Sequence, residues 1–204
     1  FLNPKLKVTY DLDELPIPAW DLVPMKKYWE IARPHGGGLK DGNVAYAPVM
    51  FSRGCPYKCH FCHISKELEG SLGGNTRKYR VKSINRIIKE LKILKNLGVK
   101  YVFIEDDSLL AKKERAKEIF SKVKELGLQL ADVNGINLAH LCTKVDGKLG
   151  VDDALMESMA GAGFKRLQYP VESASQRILD KYATGKLNLK KHDVFGLIKK
   201  ANEL

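Results

Sequence analysis

The sequence lacks the long apolar runs that a membrane-spanning or secreted protein needs. No run approaches the roughly 18 apolar residues of a transmembrane helix. The first residues, Phe-Leu-Asn-Pro-Lys, do not form the basic and then apolar pattern of a signal peptide. These absences predict a cytoplasmic protein with no membrane partner.

The sequence also lacks an initiating methionine. Phe1 is the first residue, and residues 197–204 have the pattern of an unfinished helix. With 204 residues, of which 44% are hydrophobic, the chain is long enough for one domain with an apolar core. We therefore expect one domain with an appendage, cut from something longer.

Cysteine is scarce, and its placement is uneven. Cys55, Cys59 and Cys62 fall within eight residues, and Cys142 stands alone. Four cysteines with this clustering cannot form a disulfide framework for a domain of this size, and the cluster indicates metal binding or catalysis. Cys142 is expected to be a small buried hydrophobe.

Acidic residues are outnumbered by basic ones. The chain has 24 Asp and Glu against 35 Lys and Arg, which gives a net charge of +11 and a pI near 9.4. Such a charge can indicate nucleic-acid binding, but these lysines are spread along helix-like segments such as 82–100 and 112–124. That spread is typical of solvated helix surfaces, so we predict no nucleic-acid partner. An acidic substrate or cofactor stays open.

Strand-like and helix-like patterns alternate from residue 44 onwards. Before that point, the prolines, both tryptophans and three glycines at 36–38 predict a linker that ends in a flexible loop. Glycines 98, 127 and 163 follow helical patterns, where a left-handed residue would end each helix. The patterns predict strands at 44–51, 99–104, 128–136 and 166–171, and helices at 83–97, 112–126, 152–162 and after Ser173.

This alternation predicts an α/β fold with a parallel sheet and right-handed crossovers. Four units are too few to close an eight-stranded barrel, which leaves a partial barrel or an open sheet. In both architectures the chemistry gathers at the C-terminal ends of the strands. Residues that follow strands are therefore the first candidates for a site.

Three thiols follow the first predicted strand. Thiolates bind iron-sulfur clusters because soft sulfur suits iron, and three cysteine ligands would leave one iron of a cluster open to a reactant. A zinc site would need a fourth ligand, such as His60, His63, His140 or Cys142. The thiols lie in the run Ser52-Arg53-Gly54-Cys55-Pro56-Tyr57-Lys58-Cys59-His60-Phe61-Cys62, with the spacing CxxxCxxC.

Carboxylates follow the second predicted strand. The run Glu105-Asp106-Asp107 would lie at the mouth of the sheet, where it would match an ammonium group by charge and hydrogen bonding. Asp107 or Ser108 could instead cap the next helix.

Polar residues follow the third and fourth strands as well. Glu172 ends the fourth strand, and Ser173 or Ser175 could be an N-cap. Asn134 with its following glycine is expected to form a turn. His140 is expected to be a satisfied core histidine.

The cysteine loop resembles that of the radical S-adenosylmethionine (radical SAM) superfamily, with CxxxCxxC and an aromatic residue before the last cysteine. The resemblance implies that Cys55, Cys59 and Cys62 bind a 4Fe-4S cluster and that its open iron chelates S-adenosylmethionine. Reduction of the sulfonium would then give a 5′-deoxyadenosyl radical. Phe61 would be a wall beside the adenine. The implied fold is a partial TIM-like barrel, an incomplete (β/α)6 core.

The same resemblance assigns further contacts. Glu105 or Asp106 occupies the place where the family's second strand end meets an amino group. Glu172 and Ser173 correspond to an Ile-Glu-Ser-Gly sequence that contacts the ribose and carboxylate of S-adenosylmethionine. In this chain Ala174 replaces the usual glycine.

Residues 13–21, the Ser-Arg-Gly-Cys-Pro run and Glu105-Asp106-Asp107 are similar to a cobalamin-dependent branch of the superfamily. The implied organisation is a linker at 1–43 after an upstream cobalamin-binding domain, and the N-terminal part of the radical SAM barrel at 44–204. A methyltransferase is implied, with a small-molecule substrate and a flavodoxin- or ferredoxin-like electron donor. One alternative is a radical SAM enzyme without cobalamin, such as a methylthiotransferase acting on RNA. The other is a zinc-stabilised nucleic-acid-binding module.

Overall fold

The structure is a computed structural model that describes residues 8–31, 44–66, 77–145, 148–183 and 185–204. The predicted loop at 36–38 lies outside these ranges. Within them, every helix is too short or too polar to cross a lipid bilayer.

The described residues form short strands and longer helices in alternation. The strands are β1 (Tyr46–Val49), β2 (Ser52–Arg53), β3 (Arg80–Val81), β4 (Tyr101–Ile104), β5 (Gln129–Asp132), β6 (Cys142–Val145), β7 (Lys148–Val151) and β8 (Phe164–Arg166). The α-helices are α1 (Met25–Ile31), α2 (His63–Lys66), α3 (Ile84–Asn96), α4 (Lys113–Lys124), α5 (Asp153–Gly161), α6 (Gln176–Tyr182) and α7 (Val194–Glu203). Two 3₁₀ helices span Trp20–Leu22 and Leu138–Leu141.

Four parallel strands form the central sheet in the order β1-β4-β5-β8. Within this sheet, the strands lie side by side in the same order in which they follow one another along the chain, so the strand order never reverses. A doubly wound sheet has such a reversal and carries helices on both faces, whereas an arc of a β/α barrel carries them on one. The predicted partial TIM-like barrel is therefore confirmed.

The core lies between the sheet and its helices. Val49, Val102 and Ile104 from neighbouring strands are buried in one cluster with Ile87 and Leu91 of α3. Each such side chain contributes about 1.5–3 kcal/mol on full burial. The opposite face of the sheet carries a separate small cluster of Tyr101, Phe103 and Ala131.

Capping residues fix where the helices begin and end. Ser83 Oγ accepts a hydrogen bond from Arg86 N (3.1 Å), which caps the start of α3. Gly98, Gly127 and Gly163 follow α3, α4 and α5 with positive φ angles of 92°, 63° and 99°. The predicted helix-ending role of these glycines is confirmed.

Two predicted strands differ from the observed ones. β5 ends at Asp132, four residues before its predicted end, because the Asp132 carboxylate accepts a hydrogen bond from Gly135 N (3.0 Å) and turns the chain. β8 covers Phe164–Arg166 instead of 166–171. Beyond it, Pro170 has no N–H for a strand ladder. The short antiparallel pairs β2-β3 and β6-β7 were not predicted, because strands of two to four residues carry little pattern.

The described part of the N-terminal segment packs on the domain. Arg80 Nη1 donates to Thr9 O (2.8 Å), and Arg86 Nη2 donates to Leu15 O (2.7 Å). Leu12 between them is buried. This segment therefore lies along β3 and the start of α3, while its role as a linker stays a prediction.

Candidate functional site

The cysteine loop begins where the chain leaves the sheet after β1. Gly54, just before the first cysteine, has φ +83°, and a Cβ atom added there would lie 2.5 Å from Lys78 O. Only glycine fits this close approach of two backbones. Cys55 N also donates to Arg77 O (3.1 Å), so the loop is bound to the segment that leads into β3.

Two carboxylates at the end of β4 hold the entry to this loop. Asp106 is only 1% exposed, and its carboxylate accepts from Phe51 N (2.6 Å) and from Ser52 Oγ. Asp107 Oδ2 accepts from Gly54 N (2.8 Å). The end of the second parallel strand therefore fixes the backbone immediately before Cys55.

Burial raises the pKa of the Asp106 carboxyl group from 3.8 to about 6. The hydrogen bonds from Ser52 and Phe51 and the charge of Arg115 lower this pKa, but burial has the larger effect. Because the folded-state pKa lies above the unfolded one, this group favours the fold at low pH. That contribution is lost as the pH rises from about 4 to about 6.

We expect Asp106→Ala to destabilise the domain much more than Asp106→Asn. Alanine leaves the Phe51 N–H and the Ser52 hydroxyl buried without their partner, which costs about 1–3 kcal/mol per unpaired group. Asparagine keeps an acceptor for Phe51 N–H, and the Ser52 hydroxyl can rotate to accept from its amide. Urea unfolding of both variants at neutral pH measures the difference. Equal losses would show that the two hydrogen bonds do not hold the loop.

One cavity of about 290 Å³ opens beside the loop. Its walls bring together the three thiols, a carboxylate just beyond the end of β4, and two charged groups from the segments before and after α6. The lining includes Cys55, Cys59, Cys62, Asp107, Glu172 and Lys186.

The thiols are placed to bind a cationic cluster. Cys59 is buried, whereas Cys55 and Cys62 are half-buried. Burial raises the pKa of the Cys55 and Cys59 thiols, and the charge of Lys186 acts in the opposite direction. Metal binding requires thiolates. Buried thiols of this kind therefore become good ligands only when positive metal charge stabilises them.

The spacing of the thiols also bears on the kind of metal. In the described ranges, no three His, Cys, Asp or Glu side chains lie close enough together to hold a single metal ion. A 4Fe-4S cluster does not need that proximity, because each thiolate binds a different iron atom. The donor set and its common cavity fit such a cluster.

A lysine that the sequence analysis did not single out pairs with Glu172 in the cavity. Lys186 Nζ lies 2.8 Å from Glu172 Oε1. Glu172 has φ +64°, a left-handed conformation that costs energy for a residue with a side chain. Such backbone strain is common at functional sites.

Tyr57 and His140 form a second polar pair on the cavity wall. The Tyr57 hydroxyl lies 2.7 Å from His140 Nε2. Burial and the charges of Lys113 and Lys186 lower the pKa of His140 to about 4, so the imidazole is neutral at neutral pH. His140 was expected in the core, and the structure places it at the cavity with a partner that lies far away in sequence.

The other residues that were predicted to contact S-adenosylmethionine lie in different places relative to the main cavity. Phe61 is 59% exposed and lies on the rim of the cavity. Ser173 borders a neighbouring hollow that Phe61 and Glu172 share, and its hydroxyl accepts from Ser175 N (3.1 Å). Glu105 and Asp106 are not in the lining of the main cavity.

The predictions for the isolated cysteine and for the turn agree with the structure. Cys142 is buried in the core, as predicted. Gly135 has φ +92°, and Asn134 Nδ2 donates to Glu105 O (2.9 Å), which follows the neighbouring strand β4. The contacts of Glu105, Asp106, Glu172, Ser173 and Phe61 with S-adenosylmethionine stay predictions.

An arc of β/α units whose first strand leads into a CxxxCxxC loop, with all three thiols on a cavity at the C-terminal edge, defines a radical SAM domain. The family model of the Radical SAM superfamily matches residues 49–203 of this sequence, and the chain belongs to this family. This family membership favours a radical SAM enzyme over the alternative of a zinc-stabilised nucleic-acid-binding module.

Two relatives are named as methyltransferases. An uncharacterized methyltransferase of Pyrococcus horikoshii is 31% identical over 179 residues, which are 87% of this chain and 33% of that protein. Cytidylyl-2-hydroxyethylphosphonate methyltransferase of Streptomyces wedmorensis is 30% identical over 193 residues, 93% of this chain and 32% of that protein. The chain therefore spans about a third of the length of these relatives.

A solved structure shares the fold. It is the radical S-adenosylmethionine methyltransferase TsrM from Kitasatospora setae, with cobalamin and a 4Fe-4S cluster bound. The TM-score is 0.57 over 79% of this chain and 29% of that chain, at 14% identity. The likeness supports the architecture of a partial barrel.

Proposed function

We propose that this chain is the radical-generating part of a cobalamin-dependent methyltransferase that uses a 4Fe-4S cluster and S-adenosylmethionine. The observation that carries the proposal is the single cavity that joins three cysteine thiols to charged groups of both signs. The methyltransferase names of the relatives support the reaction class.

Cys55, Cys59 and Cys62 are the cluster ligands in this proposal. The cluster, when bound, supplies the electron that cleaves the sulfonium of S-adenosylmethionine. Gly54 and Asp107 fix the start of the loop through the hydrogen bond from Gly54 N to the carboxylate, so the thiols meet the cluster in one arrangement. A preorganised loop lowers the conformational entropy lost on cluster binding.

The charged lining suits the zwitterionic end of S-adenosylmethionine. In this proposal Lys186 binds the carboxylate, and Asp107 and Glu172 accept from the ammonium group or the ribose hydroxyls; their shared position in the cavity lining supports it. Glu172 would exchange its present partner, Lys186, for the cofactor. Phe61, exposed on the rim, would become covered as a wall beside the adenine.

The other parts of the enzyme are proposed from the relatives and from the sequence. Residues 1–43 would follow a cobalamin-binding domain, and a methyl group would pass to a radical on a small-molecule substrate in the cytoplasm. The electron would come from a flavodoxin- or ferredoxin-like protein. The alternative, a methylthiotransferase acting on RNA, would need no cobalamin, and the names of the relatives favour methyl transfer.

Product analysis of the reconstituted chain tests this proposal. Dithionite and S-adenosylmethionine should yield 5′-deoxyadenosine and methionine under anaerobic conditions. Lys186→Met should weaken S-adenosylmethionine binding about ten- to hundredfold, because a charged hydrogen bond contributes about 1.5–3 kcal/mol. Lys190→Met, at an exposed position four residues further along the chain, is the matched control and should bind S-adenosylmethionine normally. A reconstituted cluster that neither binds nor cleaves S-adenosylmethionine would contradict the proposal.

A further inference from the structure

We infer that the outer side of the cysteine loop is the docking surface for an acidic protein that carries one electron. The surface consists of Lys58, Arg77, Lys78 and Lys181 with the aromatic rings of His60 and Tyr182, and we call it the electron-entry surface. The inference rests on the proposed function, because only a cluster that is used reductively needs an electron from outside.

The loop places a charge on the surface directly outside the thiols. Lys58 lies between Cys55 and Cys59 in the chain, and its side chain is exposed. The Cys59 thiol is buried and lines the inner cavity. The exposed Lys58 is therefore the direct chain neighbour of a buried, cavity-lining thiol.

Basic residues border the loop where it begins. Arg77 contacts the loop twice, since its carbonyl accepts from Cys55 N (3.1 Å) and its Nη2 donates to Pro56 O (3.2 Å). The next residue, Lys78, is exposed, and its Nζ lies 4.8 Å from the ring centroid of Tyr10. Two positive charges are thus fixed beside the first cysteine.

A basic residue and two rings border the loop at its other end. His60 N donates to Tyr182 O (2.8 Å), and the two rings meet edge to face with centroids 6.1 Å apart. Lys181 Nζ lies 5.0 Å from the Tyr182 ring. The acidic residue next to it, Asp180, accepts a hydrogen bond from Gln176 on its own helix.

An acidic protein partner fits this surface by charge and by composition. Positive charges around a potential electron path attract an acidic partner and so raise the rate of association, and salt weakens this attraction. Aromatic residues are enriched at protein interfaces, and the rim of an interface is polar. The step is a one-electron transfer, in which a flavodoxin hydroquinone is oxidised to the semiquinone and the 4Fe-4S cluster is reduced by one electron.

Stopped-flow reduction of the reconstituted chain by flavodoxin hydroquinone tests the inference. Lys58→Glu and Lys181→Glu should each lower the second-order rate constant for reduction by flavodoxin at least about tenfold at low ionic strength. Added salt should lower the same rate constant for the original chain. Lys92→Glu and Lys122→Glu make the same charge change at exposed positions of α3 and α4. These controls should change the rate little.

Dithionite distinguishes this inference from the proposed function. All four variants should keep their iron content and should be reduced by excess dithionite to the same extent as the original chain. If dithionite reduces all four variants normally and flavodoxin reduces all four at the same rate, the assignment of the docking surface is wrong, while the proposed function stands. Failure of every form to cleave S-adenosylmethionine with dithionite would overturn the proposed function and this inference together. RNA binding that depends on Lys58 and Lys181, with unchanged flavodoxin kinetics, would also overturn it.

Discussion

Replacement of Cys59 by serine is expected to abolish cluster binding and the cleavage of S-adenosylmethionine. Cys59 is the most buried of the three loop cysteines and lies between the other two in the chain. Loss of a residue that only supports a metal ligand costs about 10–100-fold in affinity or activity. Loss of a ligand should cost more than about a hundredfold. Iron analysis and the yield of 5′-deoxyadenosine measure the effect.

Cys142 provides the matched control for this experiment. It is also a buried free cysteine, but it lies in the core with its Sγ 3.6 Å from Leu138 O. Cys142→Ser should therefore bind a normal amount of iron, with any cost appearing as reduced stability. If Cys142→Ser lost the cluster and Cys59→Ser kept it, the assignment of the ligands would be wrong.

Asparagine in place of Asp132 is expected to stabilise the domain above neutral pH. Asp132 ends β5 and is 1% exposed, and the hydrogen bonds that it accepts from backbone groups only partly offset the cost of burying its charge. Burial, together with the nearby charge of Asp106, raises its pKa from 3.8 to about 7. Asparagine can still accept from Gly135 N, and it carries no charge.

The sign of the pH dependence follows from the raised pKa. Between about pH 4 and pH 7 the unfolded chain has released this proton and the folded chain has kept it, so stability falls as the pH rises. At about 1.36 kcal/mol per pKa unit, the loss at pH 8 is at most about 4 kcal/mol. Denaturant unfolding should show Asp132→Asn more stable than the original chain at pH 8, with a much smaller difference near pH 4.

Asp152→Asn is the control for the Asp132 substitution. Asp152 is also buried, but it accepts from Leu155 N (3.1 Å) at the start of α5 and pairs with Lys113 (3.1 Å). Removal of this charge should therefore destabilise the domain at pH 8. A stabilising Asp152→Asn, or an Asp132→Asn variant that is no more stable at pH 8, would contradict this account of the buried carboxylates.

The fold could be predicted because its signals are local. The spacing of apolar residues in α3, a serine at its start and a glycine after its end are all visible in a short window. The strand ends were less predictable. β5 stops where the Asp132 side chain bonds to Gly135 N, and a hydrogen bond of this kind leaves no mark on the apolar pattern.

The cysteines could be predicted, and most of their neighbours could not. The three thiols share one loop, whereas Lys186 reaches the cavity from a position 124 residues beyond Cys62 with no motif around it. The pairing of Tyr57 with His140 spans 83 residues. Glu105-Asp106-Asp107 was recognised as a group, but only the three-dimensional structure shows that Asp106 supports the loop while Asp107 also lines the cavity.

The most direct test of the central claim is electron paramagnetic resonance of the reconstituted, reduced chain with and without S-adenosylmethionine. We predict the signal of a 4Fe-4S cluster that changes when S-adenosylmethionine binds, because three cysteines leave one iron open. A colourless protein with one zinc per chain, or a cluster signal that S-adenosylmethionine leaves unchanged, would contradict the claim.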